Sequence, residues 1–247
     1  MVSNHHASAH VINTHPLQLI FPCNDSDVLM DFTRHRDAMC RQHAILALGN
    51  LCSEPANIHQ LISIKCMDAL VAFSFPPTTD GLVNAQFQAI AGLHGLSKQA
   101  HLREAILIEG GLEPLILGAR GNNRHADIEI QREATATISN LALAEANRLV
   151  IAKSGALPAL VNITKMPKID AMCTVHAVTA LANLAETSHE IHELLLSEQC
   201  VGPMCELVQD DSSHIDIKRS ISRCFALFAC NEKTHNSGLL EIGRAHV

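Results

Sequence analysis

The sequence predicts an all-α protein built as an α-solenoid of about five similar units, each of three helices. Three observations predict it. A short phrase, A-x-x-A-L-x-N-L, recurs at intervals of 43 to 45 residues. A second marker, built on glycine and proline, recurs in step with it. The composition has no Trp, no Tyr and only 3% aromatic residues within 47% hydrophobic ones, so small and aliphatic side chains must fill the core. That composition suits closely packed helices, and a fixed period of this length is the mark of a stacked repeat.

The first marker is anchored on Asn50, Gly95, Asn140, Asn183 and Leu227, with intervals of 45, 45, 43 and 44. Six residues before each anchor lie Ala44, Ala89, Ala134, Ala177 and Ile221. Three before lie Ala47, Gly92, Thr137, Ala180 and Cys224. Two before lie Leu48, Leu93, Ile138, Leu181 and Phe225, and one after lie Leu51, Leu96, Leu141, Leu184 and Phe228. These offsets fall on one stripe of a helix. Its small members let a neighbouring helix come close.

The second marker places Gly111 with Pro114 and Gly155 with Pro158; Cys200 with Pro203 and Cys66 with Ala69 hold the matching positions. Glycine ends one helix, and proline in a first turn gives up no hydrogen bond. Each unit therefore reads as a short helix ("ANRLVIAK"), a corner, a second helix ("PALVNIT"), a polar turn and a long third helix ending at the anchor. The turns "FPPTTDG", "GARGNNRHAD", "KMPKID" and "QDDSSHID" carry the residues that turns require.

At the start, "HPLQLIF" reads as a second helix. Its Pro16 lies 34 residues before Asn50, against 26 and 25 for Pro114 and Pro158, which predicts an insertion of about eight or nine residues around "PCNDSDVLMD". Residues 1–15 are expected to be disordered or a partial repeat, and residues 16–240 the solenoid. One choice of codons for Ile242 to Val247 spells a common short-read sequencing adapter, so residues 241–247 are expected not to be native. The array is read as a fragment truncated at both ends, exposing Phe225, Phe228 and Leu240 and self-associating through those ends.

Three helices per 43 to 45 residues, with "IAKSGALPALV" and "HAVTALANLAE", resembles the armadillo repeat family over about Pro16 to Leu240. The resemblance implies a right-handed superhelix whose third helices line a long groove. In importin-α and β-catenin the matching asparagines hold the backbone of an extended peptide, which makes Asn50, Asn140 and Asn183 candidate ladder residues, interrupted at Gly95 and Leu227. An asparagine near a helix end can instead cap local backbone. One and two turns earlier lie further groove candidates. Seven before the anchor these are His43, Gln88, Glu133, His176 and Ser220; four before, Leu46, Ala91, Ala136, Thr179 and Arg223. Importin-α places tryptophans four before the anchor. Their absence here disfavours a nuclear transport receptor, the first alternative reading (a metal-binding protein or enzyme is the second), and the wording is nearer to the vacuolar, plant and protist armadillo scaffolds.

The function read from this is a non-catalytic protein-interaction scaffold that binds an extended peptide or helix, with no cofactor. The net charge of −7 without a basic cluster argues against nucleic acid. No apolar run approaches the length that spans a bilayer. The setting expected is cytoplasmic, with a nuclear or peripheral organelle-membrane placement if the full-length chain is lipidated. Nine scattered cysteines without C-x-x-C read as reduced small fillers. "HEIHE", at His189–Glu193, is not the H-E-x-x-H zinc motif and is expected on a solvated first helix. "CRQH" and "CTVH" share a C-x-x-H spacing but lie three repeats apart, too far to share an ion. "HHASAH" reads as a polar end, and no nucleophile, phosphate-loop or dinucleotide motif appears.

Overall fold

The computed structural model describes residues 25–77, 83–121, 125–166 and 170–230. Fourteen α-helices and no strand occur among them. They are α1 (Asp25–Thr33), α2 (Ala38–Cys52), α3 (Ile58–Ser63), α4 (Cys66–Ser74), α5 (Val83–Ser97), α6 (Arg103–Ile108), α7 (Leu112–Arg120), α8 (His125–Leu141), α9 (Glu145–Lys153), α10 (Ala156–Thr164), α11 (Ala171–Leu184), α12 (His189–Ser197), α13 (Val201–Gln209) and α14 (Ile215–Cys230). The expected rhythm of two shorter helices followed by a long third one runs from α3 to α14. The long third helices α2, α5, α8, α11 and α14 pack each against the next, and each also packs on a second helix.

The predicted stripe is the core. Ala89, Gly92, Leu93 and Leu96 are buried on α5; Ala134, Thr137, Ile138 and Leu141 on α8; Ala177, Ala180, Leu181 and Leu184 on α11. Thr137 is tolerated there because its hydroxyl donates to the Glu133 carbonyl at 2.7 Å. At roughly 1.5–3 kcal/mol for each large aliphatic side chain buried, the stripe is the main source of stability, and most of it exists only once neighbouring repeats stack.

Four departures refine the sequence reading. The described part of the stretch expected as an insertion, from Asp25 on, belongs to α1, which packs on α2 and α4 as a second helix would; "HPLQLIF" lies outside the described residues. Phe228 is not an exposed end residue. It is 1% exposed, with the His192 ring edge-on at 5.2 Å, and Phe225 is partly buried; Leu240 lies outside the described residues. The left-handed residue of the corner is Gly155 in one repeat but Gly110, not Gly111, in the one before. There Gly111 N–H reaches Ile106 O at 2.9 Å and Gly110 N–H reaches Leu107 O at 3.0 Å, a Schellman close. Lys65 and Gln199 take the same left-handed place without glycine. Finally, "HEIHE" is solvated only in part: Glu190 and Glu193 are exposed, but Ile191 and His192 are buried.

The second repeat has glycine where the first, third and fourth have asparagine because α2 and α5 meet backbone to backbone. A Cβ on Gly95 would lie 2.4 Å from the Cys52 carbonyl oxygen, and one on Gly49 would lie 2.5 Å from that of Gln88. No side chain fits there.

Candidate functional site

The candidate site is the shared face of the third helices. Helix starts fix its register. Asp37 caps α2 by accepting from Met39 N–H at 2.8 Å and Cys40 N–H at 3.0 Å. Asp170 caps α11, accepting from Cys173 N–H at 2.7 Å, and pairs bidentately with Arg132 of α8. These N-caps satisfy backbone donors left over in the first turn.

The three asparagines do not form a uniform exposed ladder. Asn50 is exposed at the end of α2. Asn140 is half-buried, and its amide donates to Ser97 Oγ of the preceding repeat at 2.9 Å. Asn183 is 2% exposed. Its amide nitrogen donates to the Ser139 carbonyl one repeat back at 3.0 Å, and its oxygen accepts from Arg223 one repeat on. Asn183 thus clasps three successive third helices, and both ends of its amide are engaged. Arg223 completes the clasp through Glu186 at 3.4 Å.

The other candidates fall on the same face with different exposure. His43 is exposed beside a cavity of about 290 Å³, with Leu29, Phe32, Cys40 and Ala44. Glu133 on α8 accepts from His94 Nδ1 on α5 at 2.6 Å. That bond, opposed by burial, holds the Glu133 carboxyl below the usual range, with His94, Lys98 and His176 adding attraction. His176 on α11 is half-buried, and burial lowers its pKa. His94 lowers it further, Glu133 and Asp170 act the other way, and Arg132 again lowers it. Asp170 lies below its ordinary value: burial opposes this, but Arg132 and the Cys173 N–H outweigh it. Thr179 donates to the Val175 carbonyl at 2.7 Å and meets Ser220 Oγ of α14 at 3.1 Å.

A set of residues that sequence reasoning passed over sits just after each anchor. Eight residues on, Arg103 and Arg148 fold back, and each Nε donates to the carbonyl two residues past the anchor: Ser97 at 3.0 Å and Ala142 at 2.9 Å. In the next repeat His192 Nε2 donates to the equivalent Ala185 carbonyl at 2.6 Å. A cationic or imidazole donor therefore satisfies an orphan carbonyl at the negative end of α5, α8 and α11. Arg148 also reaches Thr187 and Glu186, at 2.6 and 2.8 Å. One residue earlier, Asn57 and Asn147 donate to the Leu51 and Leu141 carbonyls, at 3.3 and 3.1 Å. The recurrence of Asn and of Arg at fixed offsets was the available signal.

Six cysteines, Cys52, Cys66, Cys173, Cys200, Cys205 and Cys224, are buried. Burial pushes the Cys173 thiol up to about 11 and the Cys224 thiol up to about 12. Among the described residues, no group of three or more His, Cys, Asp or Glu is placed to hold a metal ion, and no helix is long and apolar enough to cross a membrane.

No family model matches the chain. It is 27% identical over 161 residues to Vacuolar protein 8 of Candida albicans, covering 64% of this chain and 26% of that protein. The chain thus spans about a quarter of that relative's length. A computationally designed armadillo repeat protein for modular peptide recognition aligns with TM-score 0.77 and 20% identity, over 88% of this chain and 87% of that one. The chain has the armadillo fold. A second designed armadillo repeat protein, solved in complex with the peptide (KR)4, aligns with TM-score 0.74 and 19% identity over 90% and 88%. At such identities the likeness concerns the path of the chain and not the residues that face a partner. In armadillo terms, the clasp of Asn183 and the arginine and histidine caps bind repeat to repeat.

Proposed function

We propose that this armadillo solenoid is a non-catalytic scaffold that takes an extended protein segment along the face of α2, α5, α8, α11 and α14. One observation carries the reading. The positions four and seven before the anchors alternate with the buried stripe, and those of α2 stay open: His43, Leu46 and Asn50 are all exposed on one face. An exposed amide offers a donor and an acceptor to a peptide unit, and Leu46 offers apolar contact one turn away. Asn50 is then the asparagine that reads backbone, while Asn140 and Asn183 chiefly set the spacing of the helices that flank the partner. Thr179, Glu133, His176 and Arg223 supply side-chain selectivity further along. The quarter-length likeness to a vacuolar protein is consistent with such a role, as is the existence of a peptide complex on this fold.

The test is a display selection of unstructured ten-residue peptides on the purified chain, followed by hydrogen exchange. Protection should map to α2, α5 and α8. Leu46→Glu with Asn50→Ala should weaken the selected peptides by tenfold or more at unchanged helicity. Unchanged affinity in that variant, or protection confined to the first and second helices, would refute the groove reading.

A further inference from the structure

A second surface lies away from the third-helix face. The end of α6, the length of α7 and the last turns of α9 enclose an open pocket of about 680 Å³. These are first and second helices of adjacent repeats. Ile108 of α6, Ile116 and Leu117 of α7 and Val150 of α9 are among the residues that line it. Ile108 is 82% exposed and Val150 53%. Ile108 is the most exposed of the large hydrophobic side chains among the described residues, while Val150 is exposed to the same degree as Met39 and Ile215.

The pocket also has a charge pattern. Glu113 lies in the first turn of α7 and Arg120 in its last, and both line the cavity. Seven residues separate them, so they share a helix face about 10 Å apart. The Arg120 guanidinium rests over the α9–α10 corner, where a Cβ added to Gly155 would lie 3.5 Å from it. Neither Glu113 nor Arg120 has an ion-pair partner among the described residues. Between repeats, Arg132 pairs with Asp170 and Lys153 with Glu190.

We propose that this outer pocket docks one amphipathic helix of a partner protein, laid antiparallel to α7. Its apolar stripe covers Ile108, Ile116, Leu117 and Val150. An acidic residue in its first turn meets Arg120, and a basic residue two turns later meets Glu113. A helix fits this spacing because residues seven apart lie on one face, with positions three and four between them pointing into the same groove. An extended strand would cross the same distance in about three residues and turn alternate side chains away. The antiparallel sense also places the partner's acidic residue at its own N-terminus and its basic residue at its own C-terminus, as the helix dipole favours. The chain can then hold two partners at once, an extended segment on the third helices and a helix on the outside.

The experiment uses two capped fourteen-residue helical peptides on the full chain. One carries Asp at a first position, Leu three and four on, and Lys seven on, in an Ala/Gln background. The other exchanges the Asp and the Lys. Fluorescence anisotropy should show the Asp-first peptide binding roughly five- to tenfold tighter, as expected for two rim charge pairs. The double reversal Glu113→Lys/Arg120→Glu should invert the order. Ile108→Asp/Val150→Asp, at exposed positions that leave the stack intact, should abolish both. Equal affinity for the two peptides overturns the proposal. So does absence of binding by a folded chain that still takes an apolar fluorescent dye in the pocket, which would make it a small-molecule site. Protection that maps to α2, α5 and α8 would overturn it as well, without touching the groove reading.

Discussion

Replacing each ladder asparagine by alanine separates structural from binding roles, because the three sit in different surroundings. Asn183→Ala removes an amide bond to the Ser139 carbonyl and an acceptor for the Arg223 guanidinium, at a side chain 2% exposed. A neutral buried hydrogen bond contributes about 1 kcal/mol and one to a charged group about 1.5–3 kcal/mol. Alanine returns roughly 0.5 kcal/mol in helix propensity. The net expectation is a loss of about 2–3.5 kcal/mol. Asn140→Ala loses one half-buried bond to Ser97 and should cost about 1 kcal/mol or less. Asn50→Ala, at an exposed site, should stay within about 0.5 kcal/mol. Urea unfolding followed by circular dichroism reads the midpoint shifts. The m-value of each variant must match the parent, because repeat arrays can lose cooperativity. Peptide affinity should rank the other way, with Asn50→Ala the most damaging. Equal destabilisation by Asn50→Ala and Asn183→Ala, or no effect of the latter, would refute the clasp.

Two further outcomes follow from packing and charge. Gly95→Ala should destabilise by about 1–3 kcal/mol, since its Cβ would lie 2.4 Å from a backbone oxygen, whereas Gly202→Ala, whose Cβ meets nothing within 4 Å inside α13, should stabilise by up to about 1 kcal/mol; the same unfolding assay decides, and a neutral Gly95→Ala would mean that α2 and α5 can move apart freely. Acidification should weaken the fold first through His176: its folded pKa is lowered below the ordinary 6.5, so the unfolded chain binds more protons between the two values, and the stability present above 6.5 declines as pH falls through that window. His176→Gln should flatten the unfolding midpoint over this range, leaving the lower-pH loss from Glu133 and Asp170, whose depressed values act only as pH falls through the carboxylate range; an unchanged slope in His176→Gln would show that the ring is not the sensor.

Much of the fold was legible because each repeat meets the same packing problem. Ala180, Leu181 and Leu184 are buried for the reason Ala134, Ile138 and Leu141 are, and the period exposes that reason in a single chain. Corner chemistry was less legible. Gly110 and Gly111 stand side by side, and only the backbone shows which is left-handed; Lys65 and Gln199 take the same conformation with no residue signal at all. α1 was not legible as a helix because "DSDVLMDFT" lacks the proline marker that drew attention to "HPLQLIF", which lies outside the described residues.

The site divided along the same line. Sequence by itself determined which residues share the third-helix face, since a helical offset fixes direction. It could not determine exposure. Asn50, Asn140 and Asn183 have the same offset, yet Asn50 is exposed and Asn183 is sealed, because exposure depends on what the neighbouring repeats contribute, as Ser139 and Arg223 do around Asn183. The outer pocket has the same origin. Glu113, Ile108 and Val150 come from three helices, and their juxtaposition is a property of stacking that no single repeat contains.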